Sequence, residues 1–205
     1  MSARPAAGGG RWVTVAPDRL ERWLAGFAER HGDVTVETGA EAVQLTAADG
    51  AVATVEVPFP PLTGGLVEHV LTERTVGVLL VRLGGHAAGV FAGSRLVASK
   101  VGSRNVQGRS AAGGWSQQRF ARRRAGQAVV AHAAAADDAA KVLLGRDLDA
   151  LVVGGDRTAV DAVLADRRLA HLQELVTGRL LAVPDPRLKV LQEVPFRDVW
   201  VRVRD

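Results

Sequence analysis

Residues 102–124 read GSRNVQGRSAAGGWSQQRFARRR, a glycine-rich stretch that passes directly into a strongly basic helix start. Gly102, Gly108, Gly113 and Gly114 let the backbone come close to a partner. Trp115 offers a flat stacking face, or alternatively an apolar anchor for the helix. Arg119, Arg122, Arg123 and Arg124 add fixed positive charge, with Arg119 and Arg123 one helical turn apart. On the N-terminal side, 76–83, 87–92 and 96–101 read as short strands separated by glycine turns, an antiparallel meander. On the other side, Ser116 is a suitable N-cap for a helix reaching about residue 144. A buried strand is expected at 150–153, a helix at 158–173 with Val160, Val163, Leu164 and Leu172 in the core, and strands at 180–183 and 199–203. This order predicts an α/β domain over 66–205, a mixed β-sheet with flanking helices.

Further out, the N-terminal part reads as a small α+β region over 12–65, with 1–11 disordered. Leu20, Trp23, Leu24 and Phe27 recur at spacings of three and four, which predicts an amphipathic helix over 18–31. Short strands follow at 34–37, 42–46 and 51–57, with a turn at Asp49 and Gly50. PFPPLTGG at 58–65 clusters Pro and Gly without periodicity and is the expected linker.

The charge is unevenly spread. The chain of 205 residues carries a net charge of only +4. Between Arg74 and Ala136 there is no Asp or Glu, and ten of the 26 basic residues fall there, Lys100, Arg104 and Arg109 among them. The remainder holds 16 basic against 22 acidic residues. The bias towards Ala, Gly, Val and Arg accounts for arginine over lysine but not for the missing acids. A cationic patch on an otherwise acidic chain points to a polyphosphate partner, and the glycine loop points to RNA. Zero Cys excludes disulfides and thiolate zinc sites. The N-terminus lacks the apolar core of a secretory signal, and no run approaches the ~20 apolar residues of a membrane span. A soluble, cytoplasmic protein is expected.

The segment GGWSQQRFARRR at 113–124 resembles the catalytic domain of archaeal and eukaryotic class-1 peptide release factors. There a Gly-Gly-Gln loop is followed by Ser, two variable residues and an Arg-Phe-Ala-Arg helix start. Gly113, Gly114, Ser116, Arg119, Phe120, Ala121, Arg122 and Arg124 stand at the matching positions. The likeness covers roughly 74–185. Trp115 occupies the place of the family's catalytic Gln. The chain looks closer to the Vms-like release factors, ribosome-rescue peptidyl-tRNA hydrolases that use the same domain with a displaced glutamine earlier in the loop. Gln107 lies in that earlier portion; Gln117 and Gln118, in the first helical turn, are alternatives. The resemblance implies the large ribosomal subunit, its ribosomal RNA and peptidyl-tRNA as partners, no cofactor, no metal, and a monomer.

Release of a nascent chain is attack of water on an ester. A neutral Gln amide on a glycine-rich loop can orient that water without adding charge, while backbone N–H groups face the developing oxyanion. Two other readings stay open: a non-catalytic ribosome- or tRNA-binding factor of the same fold, and, more remotely, a metal-dependent nuclease. The nuclease needs clustered carboxylates, which the three meander strands lack. The histidines His31, His69, His86, His132 and His171 show no metal-ligand spacing. VVGGDR at 152–157 lacks the Lys-Ser/Thr of a P-loop and reads as a plain strand-to-helix connection. No G-x-S-x-G elbow is present.

Overall fold

The structure is a computed structural model that describes residues 3–82, 84–103 and 115–204, with the side chains at 3, 115–121 and 124 left aside. It divides into two compact units, 1–72 with 195–205, and 73–194.

In the second unit the glycine turns and apolar runs give the expected meander. Strands β6 (Thr75–Arg82), β7 (Gly85–Ala92) and β8 (Arg95–Ser103) pair antiparallel. Strand β9 (Ala150–Gly155) then joins β6 in parallel, so the sheet order is β8-β7-β6-β9 and the sheet is mixed. Helix α3 (Trp115–Leu143) connects β8 to β9 and packs on β7 and β8. Its contact face is a stripe of small residues, Ala131, Ala135 and Ala139, ending in Val142, all buried at helical spacing. Against it sit Leu79, Val81, Ala88, Val90, Leu151 and Val153 from the sheet. Helix α4 (Arg157–Leu164) completes the core with Val160 and Val163. The expected helix over 158–173 is broken. Asp166 accepts from the backbone N–H of Arg168 at 2.9 Å and its carbonyl from that of Leu169 at 2.8 Å, which turns the chain into a short 3-10 segment, Ala170–Leu175. The apolar run at 180–183 makes one isolated bridge, Gly154 to Leu181, in place of a strand. Helix α3 starts one residue before Ser116, which falls in the first turn and not at the cap.

In the first unit, β1 (Ala3–Pro5), β2 (Arg11–Val15), β3 (Val34–Thr38), β4 (Ala42–Ala47) and β5 (Val52–Glu56) share an antiparallel sheet with β10 (Val199–Arg204). The order is β1-β2-β10-β5-β4-β3. Helix α1 (Leu20–His31) covers its core through Leu20 and Phe27. This division departs from the expected 12–65 and 66–205 boundaries at three places. Residues expected to be disordered form β1, paired with β2 through Ala3 and Val13. The Pro-Gly stretch is packed, not a linker: Leu62 and Leu66 lie on the core, and buried His69 bonds the Pro58 carbonyl at 2.9 Å and the Thr63 N–H at 3.1 Å. The last strand belongs to this sheet, because Val199, Val201 and Val203 fill its core. Helix α2 (Leu66–Leu71) precedes the change of unit. Helix α5 (Leu188–Gln192) lies near the end of the second unit, packed on β7 and β8.

Candidate functional site

The meander delivers the chain to the site. Strand β8 ends at Ser103 and α3 begins at Trp115, so residues 104–114 connect a sheet edge to a helix N-terminus. Arg104, Gln107, Gly108, Arg109, Gly113 and Gly114 lie outside the described residues. Trp115, Gln117, Gln118, Arg119 and Arg124 lie on the backbone of the first turns of α3, with their side chains outside the description. Arg122 and Arg123 are exposed, as are Ala125, Gly126, Val129 and Val130. The first buried side chain of α3 among the described ones is Ala131. Arg122 and Arg123 therefore stand on a stretch of helix open to a partner.

At the foot of the loop sits a cluster the sequence did not single out. His86 on β7 is only 3% exposed. Its Nε2 lies 3.1 Å from Oδ2 of Asp138 on α3. The other oxygen of Asp138 is 3.2 Å from Nζ of Lys141 and 3.8 Å from Nζ of Lys100. Burial pushes the Asp138 carboxyl up, but the hydrogen bonds from His86 and Lys141 and the charges of Lys100 and Lys141 outweigh it, and it ends below the ordinary carboxylate value. Lys100, expected to face RNA, is thus shared with Asp138 although its side chain is 46% exposed. Gly102 faces His86 across the β7–β8 pair. A Cβ there would lie 2.6 Å from both Cε1 and Nε2 of the ring and 3.2 Å from Oδ2 of Asp138. This glycine is needed for packing under the loop, not only for loop flexibility. The signal in the sequence was the pair Asp137 and Asp138, the first acids after the acid-free stretch, but their partner is 52 residues away.

The glycine pair of VVGGDR resolves as a strand-to-helix connection. The Asp156 side chain accepts from the Ala159 N–H at 3.0 Å and so occupies the first turn of α4 itself. Among the described residues no three His, Asp or Glu side chains gather in a way that could hold a metal ion. No helix of the described residues is long and apolar enough to cross a membrane.

The family model of the Actinobacteria/Chloroflexi VLRF1 release factors matches residues 74–204. The chain belongs to that family. The VLRF1 match takes in the meander, the loop, α3, α4 and all that follows, and it ends inside β10 of the other unit's sheet. Residues 1–73 lie outside it. No curated protein matches the chain. As a VLRF1 release factor it is tied to translation and to the ribosome, in line with the basic helix start that follows the loop.

Proposed function

We propose that this VLRF1-family chain is a peptidyl-tRNA hydrolase that frees stalled nascent chains on the large ribosomal subunit, in the cytoplasm and as a monomer. The observation that carries the reading is the family match over the hairpin–loop–helix that bears residues 102–124. Gln107 accepts a hydrogen bond from water through its amide carbonyl and points the water oxygen at the ester carbonyl carbon. The new C–O bond forms as the bond to the tRNA ribose oxygen breaks. That oxygen takes the proton, leaving a peptide carboxylate and a free tRNA hydroxyl. Loop N–H groups at Gly108, Gly113 and Gly114 stabilise the oxyanion, and Arg104, Arg109, Arg119, Arg122, Arg123 and Arg124 neutralise RNA phosphates. Trp115 stacks on an exposed base. No metal or cofactor is required by this scheme.

A second reading, a ribosome- or tRNA-binding factor without chemistry, is favoured by Trp115 in the place of the Gln of the class-1 release factors. The test is release of a labelled nascent peptide from stalled ribosome–peptidyl-tRNA complexes by the wild type and Gln107→Ala. Release lost in the variant, with co-sedimentation kept, supports the hydrolase. Release by both moves the chemistry to Gln117, Gln118 or the loop backbone. Binding without release by either leaves the binding factor.

A further inference from the structure

We infer that the groove along α1 in the N-terminal unit is a separate binding site for single-stranded RNA, with one base stacked at Trp23 and phosphates held by Arg19, Arg22 and Arg30. The groove has a volume of about 720 Å³, within the size range of small-ligand clefts, and Val15 at the end of β2 forms part of its wall. It lies outside the stretch matched by the release-factor family.

Three features argue for an occupant. The three arginines are exposed, and none makes a hydrogen bond or ion pair among the described residues, although Glu29 also lines the groove. Arg22 and Arg30 are two turns apart, about 12 Å along the axis, so they meet successive phosphates and not a single one. Trp23 is half-buried and lies nearly parallel to Phe27, with ring centroids 5.8 Å apart and 15° between planes. Phe27 is itself buried, so the indole is held in place and loses little freedom when a base stacks on it.

Gly26 is the third feature. Glycine inside a helix destabilises it relative to alanine, and usually a positive φ or a tight neighbour explains its presence. Here neither does. Gly26 has no positive φ, and a Cβ built on it meets only the Arg30 guanidinium, at 3.4 Å. The missing side chain leaves the groove open between Arg22 and Arg30. Phosphates account for the unpaired arginines, and a flat base accounts for the fixed indole beside the gap. An acidic peptide would use the charges but not the ring.

The test is photo-crosslinking of the full chain to a short oligouridine containing 4-thiouridine, with the crosslinked peptides mapped by mass spectrometry. Crosslinks are expected in α1 at Trp23. They should fall by about fivefold or more in Gly26→Leu, the low end for loss of a base stack. They should also fall in Arg22→Glu/Arg30→Glu. Gly26→Leu fills the gap without changing charge and without touching the basic start of α3, and its melting curve reports whether the unit still folds. Absence of α1 crosslinks in the wild type overturns the inference, as do crosslinks unchanged in a folded Gly26→Leu, or competition by polyglutamate as effective as that by unlabelled oligouridine. Peptide release is read in a separate assay, so the hydrolase proposal can stand or fall independently.

Discussion

Gly102→Ala tests whether the loop is seated on His86. The added methyl would sit 2.6 Å from two atoms of the imidazole, so the ring must retreat by about 0.8 Å to reach ordinary contact. The His86 side chain is 4% exposed and cannot swing into solvent. Retreat therefore breaks the 3.1 Å bond to Asp138. A hydrogen bond to a charged group is worth about 1.5–3 kcal/mol, and overpacking adds roughly 1–3 kcal/mol. Gly102 has no positive φ, so alanine returns about 0.4–1 kcal/mol by restricting the unfolded chain. The net loss is about 3 kcal/mol. In a His86→Ala background the obstacle is gone, and the same substitution should be neutral or stabilising by up to about 1 kcal/mol. The coupling between the two sites is then about 3 kcal/mol, far above the few tenths expected for independent sites. Three of the four tryptophans, Trp12, Trp23 and Trp200, belong to the other unit, so tryptophan emission is the wrong probe. Hydrogen exchange of the β7 and β8 amides, followed in urea, reads the right one. Equal cost in both backgrounds, or no cost in the wild type, would refute the packing argument.

Other outcomes follow from the same geometry. Asp138 is held below its ordinary value, so the stability it adds is full above about pH 4 and is lost as pH falls through its lowered pKa. The urea midpoint of Asp138→Asn should accordingly lie below that of the wild type at neutral pH and converge with it in acid. Arg122→Glu/Arg123→Glu changes two exposed side chains; urea unfolding should move by no more than about 0.5 kcal/mol, whereas ribosome co-sedimentation should weaken and lose part of its salt dependence. Removal of 195–205 takes a central strand from the N-terminal sheet, with Val199, Val201 and Val203 all buried. At about 1.5–3 kcal/mol per valine the loss approaches the whole stability of a small domain. The emission of the remaining Trp12 and Trp23 should become that of an unfolded chain while β7 and β8 amides stay protected.

Where the sequence and the structure part company, the reason is distance along the chain. The meander was legible because its turns are local: Gly84 and Gly93 both take positive φ between apolar runs, and each strand pairs with the next. The alternation of Val199, Val201 and Val203 likewise marks a half-buried strand. Nothing in that alternation names a partner. Its register with Val13 and Val55 is set by which sheet has an open slot between β2 and β5, a property of 72 residues that lie at the other end of the chain. The candidate site divides in the same way. Its chemistry is written in one run of residues, where Gln107, the glycines and the arginines could be read at sight. Its support is not, because His86 and Asp138 look ordinary in isolation, one a strand histidine and the other a helix acid beside Lys141. Only the fold places them in contact, and Gly102 between them joins the two levels. In the sequence it counts among the loop glycines; in the structure it is the position where a single methyl would move the histidine that packs beneath the start of the loop.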